Sequence, residues 1–566
     1  METKSIEGPD APKVRRKSLK DYLRPAENEL YDHFFGPRET NPAGLHSTEA
    51  SAPDASVQLP VPLQHDPRSL PIRVFLPAVR KSPEIPWPRD TGRVGRMLTL
   101  ARQAEIFTGT DGICYAILPE SGHGPMPVAS LGFRDWLTLA AWRDGQTTPS
   151  PRETGRVAEI LTTWSRLEGS VRPVGLRVGE ASGRLYLDLG NESGQAVEID
   201  RDGWRLVDTP PMVFRRPPGM RTLPAPARGG SIKRLRRHIR TDEDGLLIAI
   251  AWLLTALRPK GPYPMLYLLG SHGAAKSWTM TVLKTLIDPE EAMRSQLPTD
   301  SKDLYVVSQA SHVPAFDNVS RISDGISDTL CTIATGSSHR GRKLFTDQEQ
   351  SVITVQRPML MNGIIDAVGR PDLADRLYRI ELQRVPAEER RPEAELRRDL
   401  ERDHPLLLGA LLDITVVGLR NIGNVRLLSG ERMIDAAEWA QACAPAFSTE
   451  ERLVEALQGS RKALSSDMLS TNPVARAILQ LVDDLGHWTG TATDLLREVV
   501  RRAPTEEKRL PRGAAQLKRE LNRLEADLKA QGLDIEDRRV GHRGDRMITI
   551  ILRDNHPATA RRTDED

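Results

Sequence analysis

One stretch constrains this chain more than any other: Pro264 to Lys284, "PMLYLLGSHGAAKSWTMTVLK". An apolar run enters a short turn containing Gly270 and Gly273, and a helix-forming run follows at once. A buried strand leading through a tight turn into a helix lets backbone N–H groups wrap an anion while the helix's positive end faces it. The turn nearly spells the phosphate-binding pattern G-x-x-x-x-G-K-[ST], with Ala275 where the last glycine should stand. On this reading Gly270, Gly273, Ala274, Ala275, Lys276 and Ser277 hold a nucleotide's phosphates; Lys276 reaches the β- and γ-phosphates and Ser277 ligates Mg²⁺. Ala275 adds one methyl group, tolerable at negative φ and harmful in a left-handed position. The expectation is that it costs little. The plainer alternative is an ordinary strand-loop-helix connection that happens to contain Lys-Ser.

Two later segments bear on that choice. "SHVPAFDN" is an apolar strand ending in Asp317, the place from which a carboxylate holds Mg²⁺ in nucleotide hydrolases. "QRPMLMNG" is a third apolar segment, ending in Asn362, which can orient an attacking water or sense the γ-phosphate. Strands ending in Lys-Ser, Asp and Asn form a far more specific signal than the loop alone.

At 566 residues the chain is too long for one core and calls for about three or four units. Its 28% charged and 39% hydrophobic residues indicate a soluble globular protein. No apolar run approaches the roughly 20 residues of a membrane span, and the N-terminus has no apolar segment of a secretory signal. Three scattered cysteines, Cys114, Cys331 and Cys443, argue for a reducing, cytoplasmic setting and against a zinc or disulfide framework.

Residues 1–72, rich in Pro, Ser and charge, read as a disordered arm. Residues 73–228 mix helical and short strand patterns and read as an α+β domain, in which Asp188, Glu198 and Asp202 are expected at the surface or in turns. "SIKRLRRHIR" follows, a basic segment that suits either a DNA-facing collar or a solvated helix. Residues 229–383 alternate strands and helices as a nucleotide-binding core should, 384–465 are helical, and 466–566 make a last small domain.

With the loop, Asp317 and Asn362 in place, residues from about 230 to 430 resemble the compact AAA+ ATPases grouped as superfamily-3 helicases. They resemble more closely the primase-helicase-type ATP-binding proteins of phages, plasmids and integrated mobile elements. The resemblance implies a homo-oligomeric ring, usually a hexamer, with ATP and Mg²⁺ between subunits and single-stranded DNA in a central channel. It also implies an arginine supplied to the neighbouring subunit's site. "GRPDLADRLYRIEL" looks like the segment that supplies it, with Arg370 and Arg376 as candidates and Arg379 a weaker one; the alternative is that Arg376 pairs with Asp372 on one helix face. One departure matters. Many AAA+ proteins place a water-polarising Glu after the Asp, whereas Asn318 stands here and cannot act as a general base, so turnover is slow or borrows a carboxylate such as Asp303 or Asp324. Between Asp317 and Asn362, Arg340, Arg342, Lys343 and Phe345 suit a DNA-tracking pore loop or a solvated hairpin equally well.

In the last domain "NPVARAILQLVDDLGHWTGTATDLLREVV" reads as helix, turn, helix; "PRGAAQLKRELNRLEADLKAQG" as a third helix; and "LDIEDRRVGHRGDRMITIIL" as a hairpin. That order makes a winged helix. Leu517, Leu521, Leu524 and Leu528 stripe one side of the third helix, and Arg512, Gln516, Arg519 and Arg523 lie on another, placed for a duplex groove, with Arg543 in the wing; the alternative is a protein-docking module.

The expected fold is therefore multidomain α/β: a P-loop AAA+-like ATPase core with an α+β N-terminal domain, a helical lid and a C-terminal winged helix. The leading functional reading is an ATP-hydrolysing, helicase-like DNA motor or replication initiator of a mobile element. The other readings are a nucleotide-gated DNA-binding assembly switch with little turnover, and a scaffold that no longer binds nucleotide.

Overall fold

The structure, a computed structural model, describes residues 87–119, 124–145, 148–336, 338–342, 350–364, 367–425, 433–503, 510–540 and 545–553. The arm expected over 1–72 lies outside these residues, as do Lys343, Phe345 and Arg543.

The centre of the molecule is a four-stranded parallel sheet. Its chain order is α1 (Glu243–Ala256), β1 (Met265–Leu269), α2 (Lys276–Ile287), α3 (Ser301–Ala310), β2 (Ala315–Val319), α4 (Asp324–Thr335), β3 (Leu360–Gly363) and β4 (Leu377–Glu381). The spatial order is β2-β3-β1-β4. Every residue of β1 is buried, as an unbroken apolar run requires when helices cover both faces of a parallel sheet. Helix α1 is apolar nearly all round and buried for most of its length; Asp242 starts it by accepting the Gly245 N–H at 2.8 Å. Because β3 lies between β1 and β2, the loops leaving β1 and β2 open around a strand that is late in sequence, a place where ligands of open α/β sheets bind.

Residues expected to form one α+β unit contain, among those described, two four-stranded sheets with separate packing and a two-stranded pairing of Val174–Gly175 with Val213–Phe214. Residues 105–172 carry a four-stranded sheet, and its helices Gly92–Ala101, Leu131–Arg143 and Pro151–Leu167 pack around Phe133, Leu137 and Leu161. A four-stranded antiparallel meander over 178–207 instead shares its apolar face with the central core. Asp188 and Glu198 are not surface groups. Asp188 is buried and takes both Nε and Nη2 of Arg216, at 3.1 and 2.7 Å. Glu198 is buried and accepts the Tyr186 hydroxyl at 2.6 Å. Alternation along a strand marks two faces but not which of them a distant helix covers. Asp202 lies in a turn, as expected.

A buried charge cluster ties the meander to the core. Arg177 meets Asp288 at 3.1 Å with both side chains fully buried, and Asp288 also accepts the backbone N–H groups of His312 and Val313, each at 2.9 Å. Lys284 and Arg177 outweigh the burial of Asp288 and hold its carboxyl well below the usual range.

Helices α5 (Glu393–Asn421), α6 (Ile434–Cys443) and α7 (Glu450–Thr471) follow the sheet. The chain ends in α8 (Pro473–Leu485), β5 (His487–Gly490), α9 (Ala492–Arg502), α10 (Ala514–Ala530), β6 (Leu533–Val540) and β7 (Asp545–Leu552). The stretch read as a bare turn, His487–Gly490, is a strand that pairs with β7 and makes the hairpin three-stranded. Leu517, Leu521, Leu524 and Leu528 are all buried on one side of α10. No helix among the described residues is long and apolar enough to cross a membrane.

Candidate functional site

The loop between β1 and α2 has the shape its glycines allow. Gly270 has φ +150° and Gly273 φ +84°, and a Cβ at Gly270 would come within 2.8 Å of the Leu382 carbonyl oxygen. Ala275 departs from expectation. It sits at φ +55°, ψ +33°, the left-handed region, as the residue that precedes α2. An alanine there costs about 1–2 kcal/mol, because Cβ crowds the following carbonyl; the cost expected to be small is not. Lys276 folds onto the loop, donating to the carbonyls of Gly270 at 2.7 Å and Ser271 at 3.2 Å. Ala274 is buried beneath it.

The three strand ends named from sequence converge. Ser277 Oγ donates to Asp317 Oδ1 at 3.1 Å. Asn318, at φ +57°, lies where the pairing of β2 with β3 slips between Phe316 and Val319, and its N–H donates to Asn362 Oδ1 at 2.8 Å. Asparagine tolerates this backbone far better than glutamate does, which accounts for Asn at this position without reference to catalysis. Asn362 is 1% exposed, and its Nδ2 has no hydrogen-bond partner among the described residues. A buried amide with one end satisfied and the other end free is costly unless something completes it.

The sequence reading missed several neighbours. Arg294 Nε lies 3.3 Å from Asp317 Oδ2, carried there because Ser295 pairs with β2 as a one-residue extension of the sheet. No periodic pattern marks Arg294, so nothing local could have named it. The segment that follows β4 runs beside the loop: Leu382 N–H donates to Leu269 at 2.9 Å and Val385 N–H to Gly273 at 3.3 Å. Between them opens a cavity of about 470 Å³ lined by Asp242, Ser271, Glu381, Leu382, Gln383 and Arg384.

The arginine candidates lie apart from this loop. Arg376 is hydrogen-bonded through its carbonyl to Met265 N, at the other end of β1 from the loop, about 15 Å away along a strand. Its guanidinium bonds the backbone carbonyl of Asp372, and its Nε is buried without a partner among the described residues. Arg370 meets Asp328 at 2.8 Å and is a third exposed. Arg379 is enclosed, paired with Asp467 at 2.8 Å and Glu381 at 3.0 Å. In the basic segment before α1, a short helical turn over Ile232–Arg237, Arg234 and Arg237 face the buried Asp403, Arg236 pairs with Glu243 and Arg240 with Glu389, while Lys233, Arg236 and Arg237 remain exposed.

Arg340 and Arg342 lie on a two-stranded hairpin, Ser338–Arg342 with Gln350–Thr354. In the C-terminal part Arg512, Gln516, Arg519 and Arg523 are exposed, and the Arg512 N–H donates to Gln516 at 3.0 Å. The adjoining face of α10 is engaged elsewhere: Glu520 accepts from Asn472 at 2.9 Å and Asp527 from Ser465 at 2.7 Å. Among the described residues no group of three or more His, Cys, Asp or Glu side chains is arranged to hold a metal.

Comparison with known proteins gives the chain's family. A family model for actinomycete integrative conjugative element replication proteins matches residues 232–472, and a second, for the C-terminal domain of the same replication protein, matches 474–562. The chain belongs to this family. Its two matches adjoin, cover more than half of the chain and take in the loop, Asp317, Asn362 and the C-terminal three-helix unit. It is thus a replication protein of a mobile element. No curated protein sequence matches it. Among solved structures it is similar to the NrS-1 C-terminal region, at 11% identity and TM-score 0.36, over 80% of this chain and 98% of that one. It is also similar to the SCCmec type IV Cch helicase, at 10% identity and TM-score 0.37, over 79% and 93%. For the JCV helicase the values are 14% and 0.18, over 44% and 70%.

Proposed function

We propose that this replication protein binds ATP with Mg²⁺ in the loop between β1 and α2 and uses hydrolysis to act on DNA as a helicase-like initiator of its element. The observation that carries the reading is the meeting of Ser277, Asp317 and Asn362 beside that loop, with the Asn362 Nδ2 unpartnered among the described residues. A hydroxyl and a carboxylate side by side are the oxygen donors Mg²⁺ takes together with phosphate oxygens, and the ion would neutralise charge that develops on the transferred phosphoryl group. Lys276 exchanges its two loop carbonyls for phosphate oxygens. The free amide of Asn362 holds the attacking water or the γ-phosphate. The cavity beside Ser271 is of a size that takes a nucleoside.

On this reading the parallel sheet is a P-loop AAA+-like core, α5 to α7 a lid, and residues from α8 onward a winged helix. Arg376, remote from its own loop, and Arg370 serve the adjacent subunit of a ring, with a hexamer the expected form. Arg340 and Arg342, on the hairpin, and Lys343 track single-stranded DNA in the pore. Arg512, Gln516, Arg519, Arg523 and Arg543 meet duplex DNA. A second reading, an ATP-gated assembly switch, is favoured by Asn318, which supplies no general base next to Asp317. ATP hydrolysis by the purified full chain, with and without single-stranded and duplex DNA and beside Lys276→Ala, tests both. DNA-stimulated turnover lost in Lys276→Ala supports the motor; ATP-dependent assembly without turnover supports the switch; neither behaviour overturns both.

A further inference from the structure

The chain following β4 does more than line the cavity. Residues 382–390 are stitched to the loop at Leu269 and Gly273 and to the segment ahead of α1 by Gln383 N–H to the Arg240 carbonyl at 3.0 Å, and the Arg240–Glu389 ion pair fastens the far end. At that end Arg390 reaches back across the loop: a Cβ at Gly273 would lie 3.3 Å from Arg390 Nη2. Of the arginines that follow, Arg391 pairs with Glu395 and Asp399, Arg397 with Glu393, and Arg402 with Asp399, whereas Arg398, on α5, donates to the Ala394 carbonyl at 3.3 Å. Arg390 is exposed, and the only hydrogen bond of its side chain among the described residues is from Nε to the Val385 carbonyl at 3.4 Å, which leaves both terminal nitrogens free.

A guanidinium held over an anion-binding turn, with no acid to satisfy it, is built to take an anion. Resting on the reading that the loop binds ATP, we propose that Arg390 binds the nucleotide's phosphates from the same subunit, closing the loop from the side opposite Lys276. Gly273 lies in the part of such a loop whose backbone cradles the α- and β-phosphates. Arg390 therefore meets oxygens that ATP and ADP share, and Gly273 has no side chain to keep the guanidinium away. This makes the 382–390 segment a wall of the nucleotide site: Gln383 and Arg384 at the nucleoside end, Arg390 at the phosphate end.

The test is equilibrium titration of the full chain with the fluorescent N-methylanthraniloyl forms of ATP and ADP, in wild type, Arg390→Ala, Arg390→Lys and Lys276→Ala. Loss of a charge-assisted contact predicts about tenfold or weaker binding for Arg390→Ala. The loss is equal for the two nucleotides, partly restored in Arg390→Lys, and leaves the melting temperature without nucleotide unchanged. Wild-type affinity in Arg390→Ala alongside failed binding in Lys276→Ala overturns the role of Arg390 and leaves the nucleotide site standing. A loss confined to ATP, or a matching drop in melting temperature, also overturns it. Failure of the wild-type chain to bind either nucleotide overturns the site and Arg390 together.

Discussion

Replacing Ala275 by glycine should make this protein more stable, although it removes a methyl group and loosens the unfolded chain. The residue is held at φ +55°, ψ +33° by the requirement that the loop turn directly into α2. Left-handed backbone costs a residue with a Cβ about 1–2 kcal/mol, and glycine nothing comparable. Against this, glycine gives the unfolded chain extra freedom worth about 0.4–1 kcal/mol. Glycine also ranks above alanine immediately before a helix. The net expectation for Ala275→Gly is a gain of about 0.5–1 kcal/mol. Ala275→Val, whose branched Cβ crowds the same carbonyl further, should lose more than wild type. Urea unfolding of the three proteins at one temperature, followed by circular dichroism, measures the series. If Ala275→Gly is no more stable than wild type, or valine is tolerated as well as alanine, the loop does not hold this residue left-handed and the strain argument fails.

Two further outcomes follow from the charges. Arg294 neutralises Asp317 at 3.3 Å and competes with Mg²⁺ for that carboxylate, so Arg294→Ala should lower the Mg²⁺ concentration needed for half-maximal ATP turnover by about threefold, the modest size reflecting a partly exposed pair; a higher Mg²⁺ requirement would mean that Arg294 helps to hold the ligand instead. Burial pushes His312 and His404 down to about 4, so each is neutral in the fold and protonates first in the unfolded chain. Their contribution is complete above about pH 6.5 and is lost as pH falls toward 4, by about 2 kcal/mol each at pH 5. Glu290, raised to about 7 mainly by burial, works in the opposite sense, its contribution fading as pH rises through 7. Two histidines outweigh one glutamate, so stability should fall by about 2 kcal/mol from pH 6.5 to 5, with less of a fall in His404→Gln; denaturant titrations showing a flat or rising profile would contradict the assignment.

The local patterns in the sequence carried a definite part of this protein. The run from Met265 to Leu269 is apolar without alternation, which only a strand covered on both faces satisfies, and it delivers Gly270 to Ser277 into a turn and helix whatever surrounds them. The leucine stripe of α10 likewise names its buried side, because 3.6 residues per turn is a property of the helix alone. Asp317 and Asn362 were legible for the same reason, each following a short apolar run, although β2 runs on to Val319 and β3 to Gly363.

Tertiary structure decided what those elements meet. Sequence places Asp317 and Asn362 at strand ends, but only the order β2-β3-β1-β4 brings Ser277 to Asp317 and Asn318 to Asn362. Arg294 and Arg390 reach the loop through backbone pairing of irregular segments, Ser295 with β2 and Val385 with Gly273, which have no period to read. Asp188 and Glu198 are buried because the meander lies against a core assembled from residues far along the chain. Whether Ala275 is strained depends on a backbone angle that the loop's two anchored ends impose. Periodicity is written into neighbouring residues, whereas burial, charge pairing and backbone strain belong to partners that the chain brings together only by folding.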